Sequence, residues 1–488
     1  MTILADLFPG WALKREAARQ QLVHAQRLFD ISDTKRGGRY PALKGRGYSA
    51  DDVMGQVGTK HRDFARYQDE NNDFAISIFD SMVNQFAPLE PTPNVITRNG
   101  EPDEARNKQI AALWEEMTTS GTLAADHTPW NEQKRQIGRS WLRDGEVFVR
   151  PLKGPTPDVQ HLTDIPYTLA SYEAEFVPAW LNEAPGTVAG IVVNRFSRPI
   201  EYVMHASHPS GAGLRSLHAS NTADLLRIPA ADVWHLKFAR RLNQVRGITV
   251  LHGVQTRLLD LKDYEESERL AARIASSFSV VLTRPTQFGI NPAATPSGAR
   301  SMELEPGMIM DFAGPGEDVK VIDTNRPSSA VTPFRAAMQR AAAGGTGTSY
   351  STISRDYDGN YSSQRQEMVE AKPQFDRLRS YWTDAFLSPV YRDVVGMGVL
   401  MGRIDARGLT MRELTRSTFD GVTMPWIDPA KETKADIDQV ENGFKSRQQV
   451  IRERSGRTAV DVDAEIARDT FTPRAPAAPA LPPQSPED

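Results

Sequence analysis

The chain has 488 residues, room for roughly two to four structural units, and its 39% hydrophobic and 25% charged residues are the balance of an ordinary globular protein. It contains no cysteine, which excludes disulfides, thiolate catalysis and Cys-ligated zinc. The net charge of −4 lacks the basic footprint of a protein that reads DNA sequence, and the longest apolar run, Val394 to Gly402, is far short of the roughly 20 residues a membrane span needs.

The opening MTILADLFPGW has no basic run ahead of its apolar residues and does not read as a secretory signal, so the cytoplasm is the default expectation. Residues 14–46 hold nine Lys/Arg against three Asp/Glu. Trp11 to Phe29 fits an amphipathic helix, and the rest of 1–49 reads as a basic arm, either a solvated terminus or a contact for DNA or a capsid partner. His61 to Phe86 has apolar residues at helical spacing. Further helices are predicted over Glu104–Met117 and Asn131–Arg143. Gly145 turns the chain into the strand EVFVR, and a β pattern follows through EAEFVPA, AGIVVNRF, IEYVMHA and DVWHLKF.

After Gly247 the pattern changes. Thr249 to Phe278 reads as one long helix, with Leu251, Val254, Leu258, Leu261 and Leu270 on repeating faces and Glu265 placed to pair with Arg269. Thirty helical residues would span about 45 Å, a rod that needs neighbours along its length. Residues 280–330 return to short strands with hairpin signals at Glu305-Pro306-Gly307 and Gly314-Pro315-Gly316. Pro333–Ala343 is a shorter helix that ends in a glycine- and hydroxyl-rich loop. Ser363 to about Leu387 is helical with a kink expected at Pro373. Two or three short helices fill 430–470, and the Pro/Ala-rich 471–488 reads as disordered.

Catalytic signatures are missing: there is no GxxxxGK[ST], HExxH or GxSxG. His205 and His208 read as structural. Gly344–Ser349 lacks the P-loop lysine and follows a helix, so a helix C-terminus rather than an N-terminus faces it, and no nucleotide site is expected. Asp356, Asp358 and Asn360, with Glu367 at the twelfth position, follow a calcium-loop spacing. Tyr361 stands where the sharp turn needs glycine, so no metal or other cofactor is expected. An enzyme using Asp356, Asp358 and His235 would need residues that nothing in the sequence brings together.

The stretch Ser354-Arg355-Asp356-Tyr357-Asp358-Gly359-Asn360-Tyr361-Ser362-Ser363-Gln364-Arg365 closely resembles the NYSS-x-R signature of the lambda family of tailed-phage portal proteins. Other pieces match in order: Asp144-Gly145-Glu146 before a strand, Ile228-Pro229-Ala230 leading to Val233-Trp234-His235, Arg246-Gly247 before the long helix with Tyr264, Leu304 to Gly307, Gly316-Glu317, and Trp426-Ile427-Asp428-Pro429-Ala430-Lys431-Glu432. Arg62 to Arg66 only approximates the family's Arg-rich helix.

The resemblance implies an α+β portal fold assembled as a ring, usually of twelve subunits, and no enzymatic activity. It divides the chain into a basic arm (1–49), a wing (50–245 and 363–429), a stem helix (246–279), a clip (280–330), a second stem helix (331–343), a tunnel loop (344–362), a crown (430–470) and a tail (471–488). It further implies double-stranded DNA in the channel, with Gly345, Thr346, Gly347, Thr348, Ser349, Tyr350, Ser351 and Arg355 facing it. Arg284, Gln287, Glu317, Asp318 and Lys320 of the clip would meet the terminase large subunit and then a head-completion protein. The other implied partners are the major capsid and scaffold proteins, without a membrane, and the implied place is the portal vertex of the virion, after assembly in the host cytoplasm. In such a ring a mildly acidic subunit makes an acidic lumen, which keeps DNA from sticking, and hydroxyls give short-lived hydrogen bonds where a basic grip would slow passage. Arg355 could touch a phosphate or pair with Asp356 or Asp358. The rival reading is a head–tail adaptor or minor capsid protein.

Overall fold

The computed structural model describes residues 49–468, apart from Arg98, Ser120, 157–158, 184–185, 210–224, 277–279, 284–317, 322–330, Asn360, 421–428 and 456–458. The basic arm, both hairpin signals, Leu304–Gly307, Gly316-Glu317 and the tail lie outside the described residues. No helix among those described is long and apolar enough to cross a membrane.

The first described elements are α1 (Ala50–Asn71) and α2 (Asp73–Phe86), where the sequence pattern suggested one helix from His61. Each has its own start signal. Ser49 and Asp52 form a reciprocal capping box on α1. Asn72, in an extended conformation, stops α1, and its side chain accepts from the amides of Phe74 and Ala75 to cap α2. Strand β1 (Glu90–Pro93), α3 (Glu104–Thr118) and α4 (Trp130–Arg143) follow. Next come β2 (Glu146–Lys153), β3 (Tyr167–Tyr172), β4 (Thr187–Val188), β5 (Ile191–Val193), β6 (Pro199–His205), β7 (Leu225–Pro229) and β8 (Trp234–Lys237).

The predicted strand EAEFVPA is instead a 3₁₀ turn, Ala174–Phe176. Its alternation does not serve a sheet: the carbonyls of Ala174 and Val177 accept from Arg246, while Glu173 and Glu175 face Arg66. The strands β3 and β7 were not anticipated from the pattern.

The long helix is shorter than its periodicity suggests. Thr249 caps a 3₁₀ turn, Val250–Gly253, and α5 proper is Gln255–Ser276. Strands β9 (Val280–Thr283) and β10 (Asp318–Val321) pair antiparallel. Helix α6 is Val331–Thr346, with Pro333 tolerated in its first turn. After α7 (Tyr350–Ser354), helix α8 (Tyr361–Trp382) runs through Pro373 without ending. A π turn over Thr383–Leu387 follows it. The chain closes with α9 (Ser388–Leu400), α10 (Met411–Leu414), β11 (Ser417–Asp420), α11 (Pro429–Glu441), α12 (Arg447–Ser455) and α13 (Ala459–Arg468).

These elements form two compact units, residues 1–87 with 119–386, and 88–118 with 387–488. In the first, β3–β2–β8 and β4–β5–β6–β7 are both antiparallel sheets. Phe148 of β2, Ile191, Tyr202 and Met204 of the second sheet, and Val177 and Val245 of the connections form one buried cluster. A second core is aromatic: Phe86, Trp141, Trp382 and Phe386 pack at ring separations of 4.6–6.2 Å. In the second unit β1 pairs antiparallel with β11, and α3 packs on α9 through Trp114 and Tyr391.

Candidate functional site

Two clusters hold most of the motif residues. The first joins β2 to the segment that leads into α5. Gly145 has φ +86, and a Cβ there would lie 2.3 Å from the backbone of Ile248; a Cβ on Gly247 would lie 1.9 Å from the Gly145 carbonyl. The two glycines let the backbones touch, and the amide of Phe238 donates to the Gly145 carbonyl in the same place.

Beside them Glu146 is buried. Its Oε1 accepts from Arg246 Nε at 2.7 Å, and its Oε2 accepts from the Gly247 amide at 2.9 Å and lies 3.0 Å from His235 Nε2. Arg246 Nη2 also lies 2.5 Å from that Oε1, and the terminal nitrogens of Arg246 donate to the carbonyls of Ala174, Val177 and Ala189. Burial works against the Glu146 carboxylate, but Arg246 and His235 outweigh it and hold its pKa well below the usual carboxylate range. Burial also dominates at His235, whose pKa is lowered despite the neighbouring carboxylate.

The preceding Asp144 is gripped by both nitrogens of the Arg66 fork, at 3.0 and 2.8 Å, and by Arg143. Burial opposes its charge, and the two arginines more than compensate, so its pKa is lowered. Glu173, Glu175 and His208 lie close enough together to hold a cation. Arg66 and Arg143 already supply positive charge there, so the cluster is an ion-pair network.

The second cluster is the segment that the resemblance assigns to a tunnel loop. It is not a loose loop. Gly344, Gly345 and Thr346 continue α6; Gly345 is needed because a Cβ there would meet Val254 Cγ1 at 2.5 Å. Gly347, at φ +74, ends the helix, and its amide and that of Thr348 both donate to the Ala343 carbonyl.

The hydroxyls expected to face DNA are turned inward: Thr346, Thr348, Ser349 and Ser351 are all buried. Thr346 and Thr348 bond to each other, and the Oγ atoms of Ser349 and Ser351 lie 3.0 Å apart with both their hydrogens turned to Glu367. One oxygen of Glu367, Oε2, accepts from Ser349 Oγ (2.8 Å), Ser351 Oγ (2.7 Å) and the Ser351 amide (3.1 Å). The pKa of Glu367 is lowered because these bonds outweigh the burial that opposes its charge. In a polar loop such hydroxyls would be solvated; here α2, α6 and α8 pack on α7 and enclose them, and they must find internal partners.

Beyond α7 the chain surfaces. Arg355, at φ +58, is exposed and, among the described residues, forms no ion pair. Neither Asp356 nor Asp358 takes it: Asp356 accepts from Tyr350 Oη at 2.7 Å and from the Asp358 amide. Tyr350 itself is half-buried, with the Arg340 guanidinium 4.7 Å above its ring.

Helices α5 and α6 pack together through Tyr264 and Phe334, ring centres 4.7 Å apart, and an ion pair of Glu265 with Arg335 at 2.7 Å. That pair replaces the expected contact of Glu265 with Arg269. In the strand pair between these helices, Asp318 lies opposite Thr283 and Lys320 opposite Val281. Arg284, Gln287 and Glu317 fall outside the described residues.

None of the described contacts brings Asp356 or Asp358 to His235, which stacks on Phe148 at 4.4 Å. Sequence reasoning missed Glu367 and Arg66 as organising residues. Nothing in local spacing links Glu367 to serines sixteen and eighteen positions earlier.

Residues 36–379 match the family described as phage portal protein, lambda family. The chain belongs to that family, whose members are structural, non-enzymatic components of the virion's portal. A probable portal protein of Halomonas phage phiHAP-1 is 24% identical over 340 residues, 67% of this chain and 63% of the relative's length. Among solved structures, chains from the neck of a native gene transfer agent particle computed with C12 symmetry (13% identical, 82% of this chain and 98% of that one, TM-score 0.41) and from the virion of the native particle (12%, 88% and 97%, TM-score 0.40) are similar.

Proposed function

We propose that this chain is one subunit of a homo-oligomeric portal ring, built of twelve copies, through which double-stranded DNA enters the head during packaging and leaves at ejection. The family match over 36–379 carries the reading. Two further features support it: α5 and α6 are a packed helix pair flanking a β pair, and the polar segment at the end of α6 leads to an exposed turn. In this reading α5 and α6 line the stem, residues 280–330 form the clip, and α11–α13 form the crown. The two-sheet body with α8 makes up the wing. The clip would dock the terminase motor and then the head-completion protein, with Asp318 and Lys320 among its contacts.

The role of this chain is passive, and the motor's ATPase supplies the work. Of the side chains expected to face DNA, Arg355 is exposed and Tyr350 half-buried, whereas the buried hydroxyls fix the segment's shape. The test is complementation: phage heads assembled without this chain should stay empty, and supplying it should restore packaged DNA. Full heads in its absence would refute the reading, and normal heads that lack only tails would favour an adaptor.

A further inference from the structure

Two features flank the sheet β3–β2–β8 on its outer strands. Beside β3, against α4, lies a cleft of about 400 Å³ whose apolar wall includes the buried Ile137 and Leu169. Gln133 also lines it, is only 5% exposed, and its Oε1 has no hydrogen-bond partner. An amide carbonyl shut off from water without a donor is costly. The last torsion of a glutamine is broad, so a donor that enters the cleft can reach this oxygen. Arg139 and Arg143 on the wall are already bound to Asp69, Asp80, Asp144 and Glu173. Asp126, which also lines the cleft, is exposed and forms no ion pair among the described residues. Acid therefore outweighs base there.

On the opposite edge the chain leaves β8 into the turn 239–243. A single exposed leucine needs no explanation, but Leu242 is 94% exposed on a turn that is fixed from inside. Buried Gln244 accepts from the amides of Arg240 (2.9 Å) and Arg241 (3.2 Å) and donates to the Arg246 carbonyl (2.7 Å). Lys237 Nζ donates to the carbonyls of Gln244 and Val245, and Asn243 is held at φ +60. The apolar tip thus stands between Arg240, exposed and without an ion pair among the described residues, and the exposed Asn243, whose side-chain amide carries N–H donors. Tyr172 at the end of β3 and Lys237 at the end of β8 both lie beside the start of β2, opposite Phe148 and Glu146. Cleft and turn therefore stand at one end of the sheet, on opposite edges.

A head-to-tail ring needs such a pair, two different patches on opposite flanks of each subunit. We infer that Leu242 of one copy enters the α4–β3 cleft of the next, with Arg240 beside Asp126 and the Asn243 side-chain amide donating to Gln133 Oε1. The inference rests on the ring reading and adds the surfaces by which neighbours meet. The apolar wall receives the leucine, the orphaned acceptor gains its donor, and the acidic mouth receives a cation.

The chain has no cysteine, so introduced thiols report the contact without background. Leu242 and Ser171, which lines the cleft, are both exposed and tolerate replacement. Treated with a short bifunctional thiol reagent, assembled full-length protein carrying Leu242→Cys and Ser171→Cys should give a ladder of covalent multimers in denaturing gels. Neither single variant should do so. Rings that form but yield no ladder from the pair overturn the contact, and a ladder from Leu242→Cys alone overturns its head-to-tail geometry. Leu242→Asp gives a second readout: the protein concentration at half-assembly should rise at least tenfold, with the far-UV circular dichroism unchanged. An unchanged concentration overturns the role of Leu242. An unaltered chain that stays monomeric under every condition would instead overturn the ring reading beneath, and this contact with it.

Discussion

Glu146 has a full charge in a place where water cannot reach it, and its stability depends on Arg246. Removing one member of such a pair leaves the other buried and uncompensated, at a cost of about 3–5 kcal/mol. Glu146→Ala should therefore lower the urea midpoint by that equivalent, and a loss under 1 kcal/mol would mean that the site relaxes into solvent. Acid should act on the same cluster in two stages. His235 has a lowered pKa, so its neutral form favours folding above the ordinary histidine pKa of about 6.5, and that contribution is lost as pH falls below it. Glu146, lowered in its turn, contributes above about pH 4.3 and loses its share on further acidification. Melting temperature should accordingly fall between pH 7 and pH 5, with a shallower slope in His235→Gln; parallel slopes would exclude His235 as a source. At Arg355 the backbone favours glycine. Arg355→Gly should match or exceed wild-type stability, by up to about 1 kcal/mol in thermal melts, and a clear loss would show that the side chain supports the fold.

Helix α6 shows how two adjacent glycines can have opposite meanings. Gly344 has open space around its Cα, whereas a Cβ on Gly345 would meet Val254 at 2.5 Å. Gly344→Ala should stabilise the helix by about 0.8–1 kcal/mol, and Gly345→Ala should destabilise it by about 1–3 kcal/mol through overpacking against α5's entry turn. Equal effects from the two substitutions in denaturant melts would refute the packing argument. The sequence alone read this stretch as loop because glycine frequency is a local signal, and the Val254 contact that makes Gly345 necessary comes from ninety residues earlier. The same limit explains EAEFVPA, where alternation resembled a strand but Arg246 collects the carbonyls, and the split at Asn72, a cap that apolar periodicity runs across. Elements with both a period and a local terminator were legible: α3, α4 with Gly145 after it, β6, β8 and the three short helices after Pro429. At the candidate site, likeness to a family signature marked the segment Ser354 to Arg365. The direction of the side chains before it was not legible, because burial of Thr346, Thr348, Ser349 and Ser351 is decided by elements distant in sequence, α2 and α8 among them.

At the scale of the whole molecule, the described residues leave large apolar side chains open to solvent on the helices assigned to stem and crown. Leu270 on α5 and Phe334 on α6 are 53% and 43% exposed, and Ile437 and Ile466 on α11 and α13 are 50% and 60% exposed. A rod of this kind gains little from packing on a single neighbour, and a ring of identical subunits related by rotation gives each copy two. Native mass spectrometry of the purified full-length protein tests this most directly. The account predicts a closed assembly whose mass is an integer multiple of the 54.2 kDa chain, centred on twelve copies. A single species at 54.2 kDa that persists across protein concentration, salt and scaffold addition would contradict it.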